Sequence, residues 1–152
     1  MSFDVPATPV EIVKVGHPAL RNGTRSVPQE LFGTPALHEL IDVMRATLAG
    51  KGVGLAAPQI AVPLRLFVVE DTEDRMSHLS PEQQKARNRY PFPFEAVINP
   101  AWYATSPELV IETEGCLSIP DFKADVSRYW RSRLKDFSRM AGRKPGPSKV
   151  GA

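Results

Sequence analysis

The chain has 152 residues, 42% of them hydrophobic and 24% charged, the composition of one ordinary globular domain. It has no run of 18 apolar residues, no basic-then-apolar leader pattern and one cysteine, so a spanning helix, a secretory signal and an internal disulfide are not expected, and a cytoplasmic setting is. Residues 1–130 carry 12 Lys and Arg against 16 Asp and Glu, whereas residues 131–152 carry seven against Asp136 alone, so the net charge of +2 does not mark the whole chain as a DNA binder.

In chain order, residues 11–33 are rich in turn signals (Gly16-His17-Pro18, Asn22-Gly23, Val27-Pro28) and read as an irregular N-terminal arm that wraps the domain. Thr34-Pro35 is a helix start, Leu37, Leu40, Ile41, Met44 and Leu48 follow at helical spacing, and Gly50 is a stop, which predicts an amphipathic helix over 35–49. Residues 52–59, Gly-Val-Gly-Leu-Ala-Ala-Pro-Gln, read as a loop whose glycines permit close backbone approach. Leu64–Val69 is a predicted strand. A polar connection over 71–94 then contains a capping box at Ser80–Gln83 and a short helix, and its length marks it as functional or mobile. Further strands are expected at 96–100, 108–114 and 122–130. Strands and helices do not alternate regularly, so the expected class is α+β, with antiparallel or mixed sheets around one amphipathic helix.

Three segments suggest chemistry. Gly52-x-Gly54-x-x-Ala57 formally matches a dinucleotide fingerprint, but a helix precedes it and Pro58 follows, the reverse of the required strand-then-helix context. His38-Glu39-Leu40-Ile41-Asp42 approaches a zinc-binding pattern but lacks the second histidine, and its polar residues fall on the solvent side of the predicted helix. Cys116, in Glu114-Gly115-Cys116-Leu117-Ser118, is open to three readings: a buried structural thiol, a nucleophile needing a histidine base, or a metal ligand needing further donors.

Together, residues 52–59 and 114–118 resemble the first and second signature motifs of the peptide deformylases. The resemblance also takes in Gly16–Arg21, the helix at 35–49, the strand at 94–100 and residues 119–129, about residues 10–130 in all. It implies an α+β metallohydrolase that removes the N-formyl group from formylmethionine at the start of nascent polypeptides. Its partners would be the formylated nascent peptide and the ribosome, without membrane or DNA. It implies Cys116 as a thiolate ligand of Fe2+, or of zinc or nickel. The Gln59 side-chain amide and the Leu117 N–H would donate to the oxyanion of the tetrahedral intermediate. Val53, Gly54 and Leu55 with Glu114 and Gly115 would bind the substrate, the backbone near Val53 and Gly54 pairing with the peptide as an added strand.

The family's third motif, His-Glu-x-x-Asp-His on a C-terminal helix, provides two histidine ligands and the glutamate base, and no histidine or glutamate follows Trp130 here. The expectation is a deformylase-like domain over 1–130 and a divergent basic tail over 131–152. Such a chain would be truncated, would hold metal poorly and would be catalytically inactive, with a partly open core where the helix should pack. The alternatives are a non-catalytic module that binds peptide N-termini, or the ribosome through its tail, and a thiol enzyme using Cys116. Trp130, Leu134, Phe137 and Ala141 form a weak helical stripe in that tail, but its abrupt change of composition favours a shifted reading frame or truncated gene and a tail without specific structure.

Overall fold

The computed structural model describes residues 9–135. Helix α1 (Pro35–Leu48) forms where the 3.6-residue spacing puts it. Thr34 is extended and its Oγ1 accepts the Leu37 N–H at 3.4 Å, while Pro35 fills the first helical position, where a missing N–H is harmless. Gly50 then turns left-handed at φ 72°, and the Lys51 N–H closes on the Leu48 carbonyl. Leu37, Leu40, Val43, Met44 and Leu48 are buried, and His38, Glu39 and Asp42 are exposed. The zinc-like pattern is a solvated helix face.

Helix α1 packs on a three-stranded antiparallel sheet ordered β1 (Gly54–Ala56), β2 (Leu66–Asp71), β3 (Phe92–Ile98). Strand β1 departs from the loop expected over 52–59. Gly54 pairs with Val69 and Ala56 with Phe67, and a single 3-10 turn, Ala57–Ile60, follows. Three residues are too few to display a period of two, so what fixes β1 is tertiary: Leu55 is 1% exposed and joins the core. That core gathers the α1 face, Leu64, Leu66, Val68 and Ile98 with Ile12 and Val27 of the N-terminal arm. Helix α2 (Pro81–Ala86) opens on the expected capping box, the Gln83 N–H on Ser80 Oγ and Gln83 Oε1 on the Ser80 N–H.

The arm is irregular, as expected, and its backbone ties distant segments together. The Val13 N–H donates to the Gln59 carbonyl and the Val15 N–H to the Ser118 carbonyl, both at 2.9 Å. Further along, Arg25 bridges Leu64 in parallel. Buried Asn99, left-handed at φ 51°, accepts the Val27 N–H on Oδ1 at 2.7 Å and donates Nδ2 to the Val27 carbonyl at 2.9 Å. A side-chain amide thus stands in for a neighbouring strand.

The remaining strands form two antiparallel ribbons: β4 (Ala101–Ala104) with β7 (Ser132–Lys135), and β5 (Leu109–Cys116) with β6 (Ile119–Tyr129). Strand β7 corrects the helical stripe expected from Trp130 and Leu134. Backbone pairing to the open edge of β4, with Leu134 opposite Trp102 and Lys135 Nζ 5.6 Å from the Tyr103 ring centre, wins over a weak helical period. Phe137, Ala141 and most of the expected tail lie outside the described residues. No helix among the described residues is long and apolar enough to cross a membrane.

Candidate functional site

Cys116 is exposed at the end of β5, where the β5–β6 hairpin turns through Leu117 and Ser118. The hairpin tip is held from three directions. Ser118, 3% exposed, takes the Val15 N–H on its carbonyl; Lys14 Nζ donates to the Leu117 carbonyl at 3.3 Å; and the Leu117 side chain lies against Gly52. A Cβ built on Gly52 would come 3.1 Å from Leu117 Cδ1. Glycine at 52 therefore leaves room for the Leu117 side chain where the two motifs meet.

Gln59 reaches across that closure. Its Oε1 accepts the Ala56 N–H at 2.9 Å, which fixes the amide's orientation because a backbone N–H needs an oxygen. Nε2 is then aimed at the hairpin, 3.2 Å from Ser118 Oγ and 3.9 Å from Cys116 Sγ. Gln59 and Cys116, read from segments 57 residues apart, meet at one point.

Between the two motifs lies an open cleft of about 1350 Å³. One wall carries Gly52, Val53, Gly54 and Gln59, and the other carries Gly115 and Cys116. Among the described residues β1 pairs with β2 alone, so its other edge is a row of backbone donors and acceptors turned from the sheet. Leu55 is directed into the core and Glu114 is engaged elsewhere. Arg128 grips the Glu114 carboxylate with Nε at 2.7 Å and Nη2 at 2.6 Å, and these hydrogen bonds hold it below the usual carboxylate range. The expected peptide contacts at Leu55 and Glu114 are thus not free side chains; only backbone is on offer there.

A metal at Cys116 would need two or three more nitrogen, oxygen or sulfur donors. His17 caps a turn, its Nδ1 accepting the Ala19 N–H, while His38 is on the exposed face of α1 and His78 follows a 3-10 turn; none of them lines the cleft. Among the described residues no three His, Cys, Asp or Glu side chains gather in a metal-holding group. A lone thiolate does not fit a catalytic metal.

The third wall was invisible to motif reading. It comes from the 71–94 connection, which brings Arg87, Asn88, Arg89 and Tyr90 to the cleft. Arg89 holds Asp71 through Nε at 2.8 Å and Nη2 at 3.0 Å, clamping the connection onto the end of β2. Its length was the one available signal.

A family model described as polypeptide deformylase matches residues 9–142. The chain is similar to peptide deformylase 1A, chloroplastic, of Solanum lycopersicum, 37% identical over 130 residues, 85% of this chain and 47% of that protein. It is also similar to peptide deformylase 3 of Streptomyces avermitilis, 39% identical over 127 residues, 83% and 54% of the respective chains. A Met-Ala-Ser-bound crystal structure of a class I type b peptide deformylase from Acinetobacter baumannii superposes with a TM-score of 0.74 at 25% identity, covering 90% of this chain and 80% of that one. The chain spans about half the length of the first curated relatives it matches, 47% and 50% of two plant proteins.

Proposed function

The chain belongs to the peptide deformylase family, and from that premise we propose that its cleft receives the N-formyl end of a nascent peptide as a strand added to β1. The observation that carries this is the convergence of the unpaired β1 edge, Gln59 Nε2 and Cys116 Sγ on one cleft. Gly52 leaves room for Leu117 and so lets the hairpin tip sit beside the edge on which the peptide backbone would pair. Gln59, oriented by its own bond to Ala56, and the Leu117 N–H serve as donors toward the formyl oxygen; neither titrates, so both act at any physiological pH. A cleft of about 1350 Å³ exceeds the ~300–1,000 Å³ of small-molecule pockets and suits a length of chain.

On its own residues this 152-residue chain binds the formyl peptide without hydrolysing it. Amide hydrolysis needs an activated water and a base, and among the described residues Cys116 is not joined by the further donors a metal site needs. The experiment is formate release from formyl-Met-Ala-Ser by the purified chain with added Fe2+ under anaerobic conditions, alongside its metal content after desalting. We expect no release above the Cys116→Ala level and no stoichiometric metal. Iron held one to one with Cys116-dependent formate release would overturn the proposal. A cytoplasmic setting, where a lone exposed thiol stays reduced, fits this reading.

A further inference from the structure

The charge around the cleft is lopsided. Its lining holds five cationic side chains against Asp71 and Asp121. Asp71 is occupied by Arg89 in two hydrogen bonds, with Arg75 at 3.8 Å as a second cation whose buried Nε makes no hydrogen bond among the described residues, so the charge of Asp71 is taken up by these two. What remains is Lys51, Arg87 and Lys123, all exposed and all without a carboxylate partner among the described residues, facing Asp121 alone. They come from three separate elements. Lys51 precedes β1, Arg87 caps the end of α2, and Lys123 lies on β6 directly opposite Gly115, the neighbour of Cys116. Three chain segments thus deliver unpaired cations to one cavity whose edge strand accepts extended backbone.

Resting on the proposed peptide cleft, we propose that this cleft selects peptides with Asp or Glu in the few residues after the first. An extended peptide rises ~3.3 Å per residue, so the two or three residues after the first span about 7–10 Å of the cleft. An acidic side chain within that reach meets Lys51 or Arg87 on one side and Lys123 across the cleft. The pairs formed are exposed and individually weak, and three together give a selectivity of about three- to tenfold that salt screens.

The test compares formyl-Met-Ala-Ser-Ala-amide with formyl-Met-Glu-Asp-Ala-amide, both lacking a terminal carboxylate, by calorimetric titration of the full 152-residue chain. At low ionic strength the acidic peptide should bind about three- to tenfold tighter, and high salt should erase the difference. Lys51→Glu combined with Arg87→Glu and Lys123→Glu should reverse the preference, with the far-UV circular dichroism unchanged. Equal affinity for the two peptides would overturn the charge selection and leave the peptide cleft standing. Binding of neither would bring down both. An RNA oligonucleotide of matched charge displacing the acidic peptide at equal concentration would show nonspecific anion attraction and would likewise overturn the selection.

Discussion

At the scale of single residues, contact distances separate glycines that matter from glycines that do not. An alanine at 52 would press its Cβ to 3.1 Å from Leu117 Cδ1, whereas one at 115 would meet nothing closer than 3.9 Å. Gly52→Ala should therefore displace the hairpin tip and lower peptide affinity severalfold, while Gly115→Ala changes stability by less than about 0.5 kcal/mol; paired peptide titrations and urea melts check both. Gln59→Ala strips the Ala56 N–H of its acceptor, and we expect a loss of about 1–2 kcal/mol in urea denaturation together with weaker peptide binding. The Glu114–Arg128 pair predicts a pH effect. Its carboxyl is held low by Arg128, so folding favours the charged form; that contribution is full above the ordinary carboxylate range and disappears as pH falls through the lowered value. Arg128→Ala should lower the urea midpoint slightly at neutral pH, by at most about 1 kcal/mol because both partners are more than a third exposed, and the gap should close in acid.

Among the elements, those with a strong period were legible and those made by tertiary contact were not. Helix α1 announced itself through Thr34-Pro35 and its apolar spacing, and β2, β3, β5 and β6 fell within a few residues of their expected positions. Strand β1 did not show, because three residues carry no period and Leu55 is fixed by packing rather than pattern. Strand β7 was likewise hidden, since its pairing with β4 joins residues some thirty positions apart. The pairing of Gln59 with Cys116 was legible through the family resemblance alone; nothing in the spacing of either residue signals a 57-residue closure. The arm was expected to wrap, yet the residue that clamps it, Asn99, sits at the end of β3 and reads as an ordinary turn. Asn99→Ala leaves the Val27 N–H and carbonyl buried without partners. We expect a cost of about 2–4 kcal/mol in urea denaturation and faster hydrogen exchange at Val27.

For the whole molecule, the core is one-sided. Helix α1 covers one face of the β1–β2–β3 sheet, and an open cavity of about 820 Å³ separates Phe67, Val69 and Val97 from Trp102 and Leu134. Ile111, Phe122 and Trp102 are 70%, 72% and 63% exposed on the two ribbons. These exposed apolar side chains flank an open cavity, and the isolated chain should bind a hydrophobic dye strongly. Dye fluorescence no greater than that of a well-packed domain of equal size would count against it. The site asks for less than the core does: it needs an edge strand, one oriented amide and a hairpin tip, held respectively by β2, by the Ala56 N–H and by the N-terminal arm. The most direct measurement is an NMR titration of the labelled chain with formyl-Met-Ala-Ser, in which protein amides and the formyl proton are followed together. Saturable shifts are expected at Gly52, Val53, Gly54 and Leu117 while the formyl signal stays that of intact peptide. Absence of saturable shifts at these residues, or conversion of the formyl signal to free formate by the parent chain and not by Cys116→Ala, would contradict peptide binding without hydrolysis.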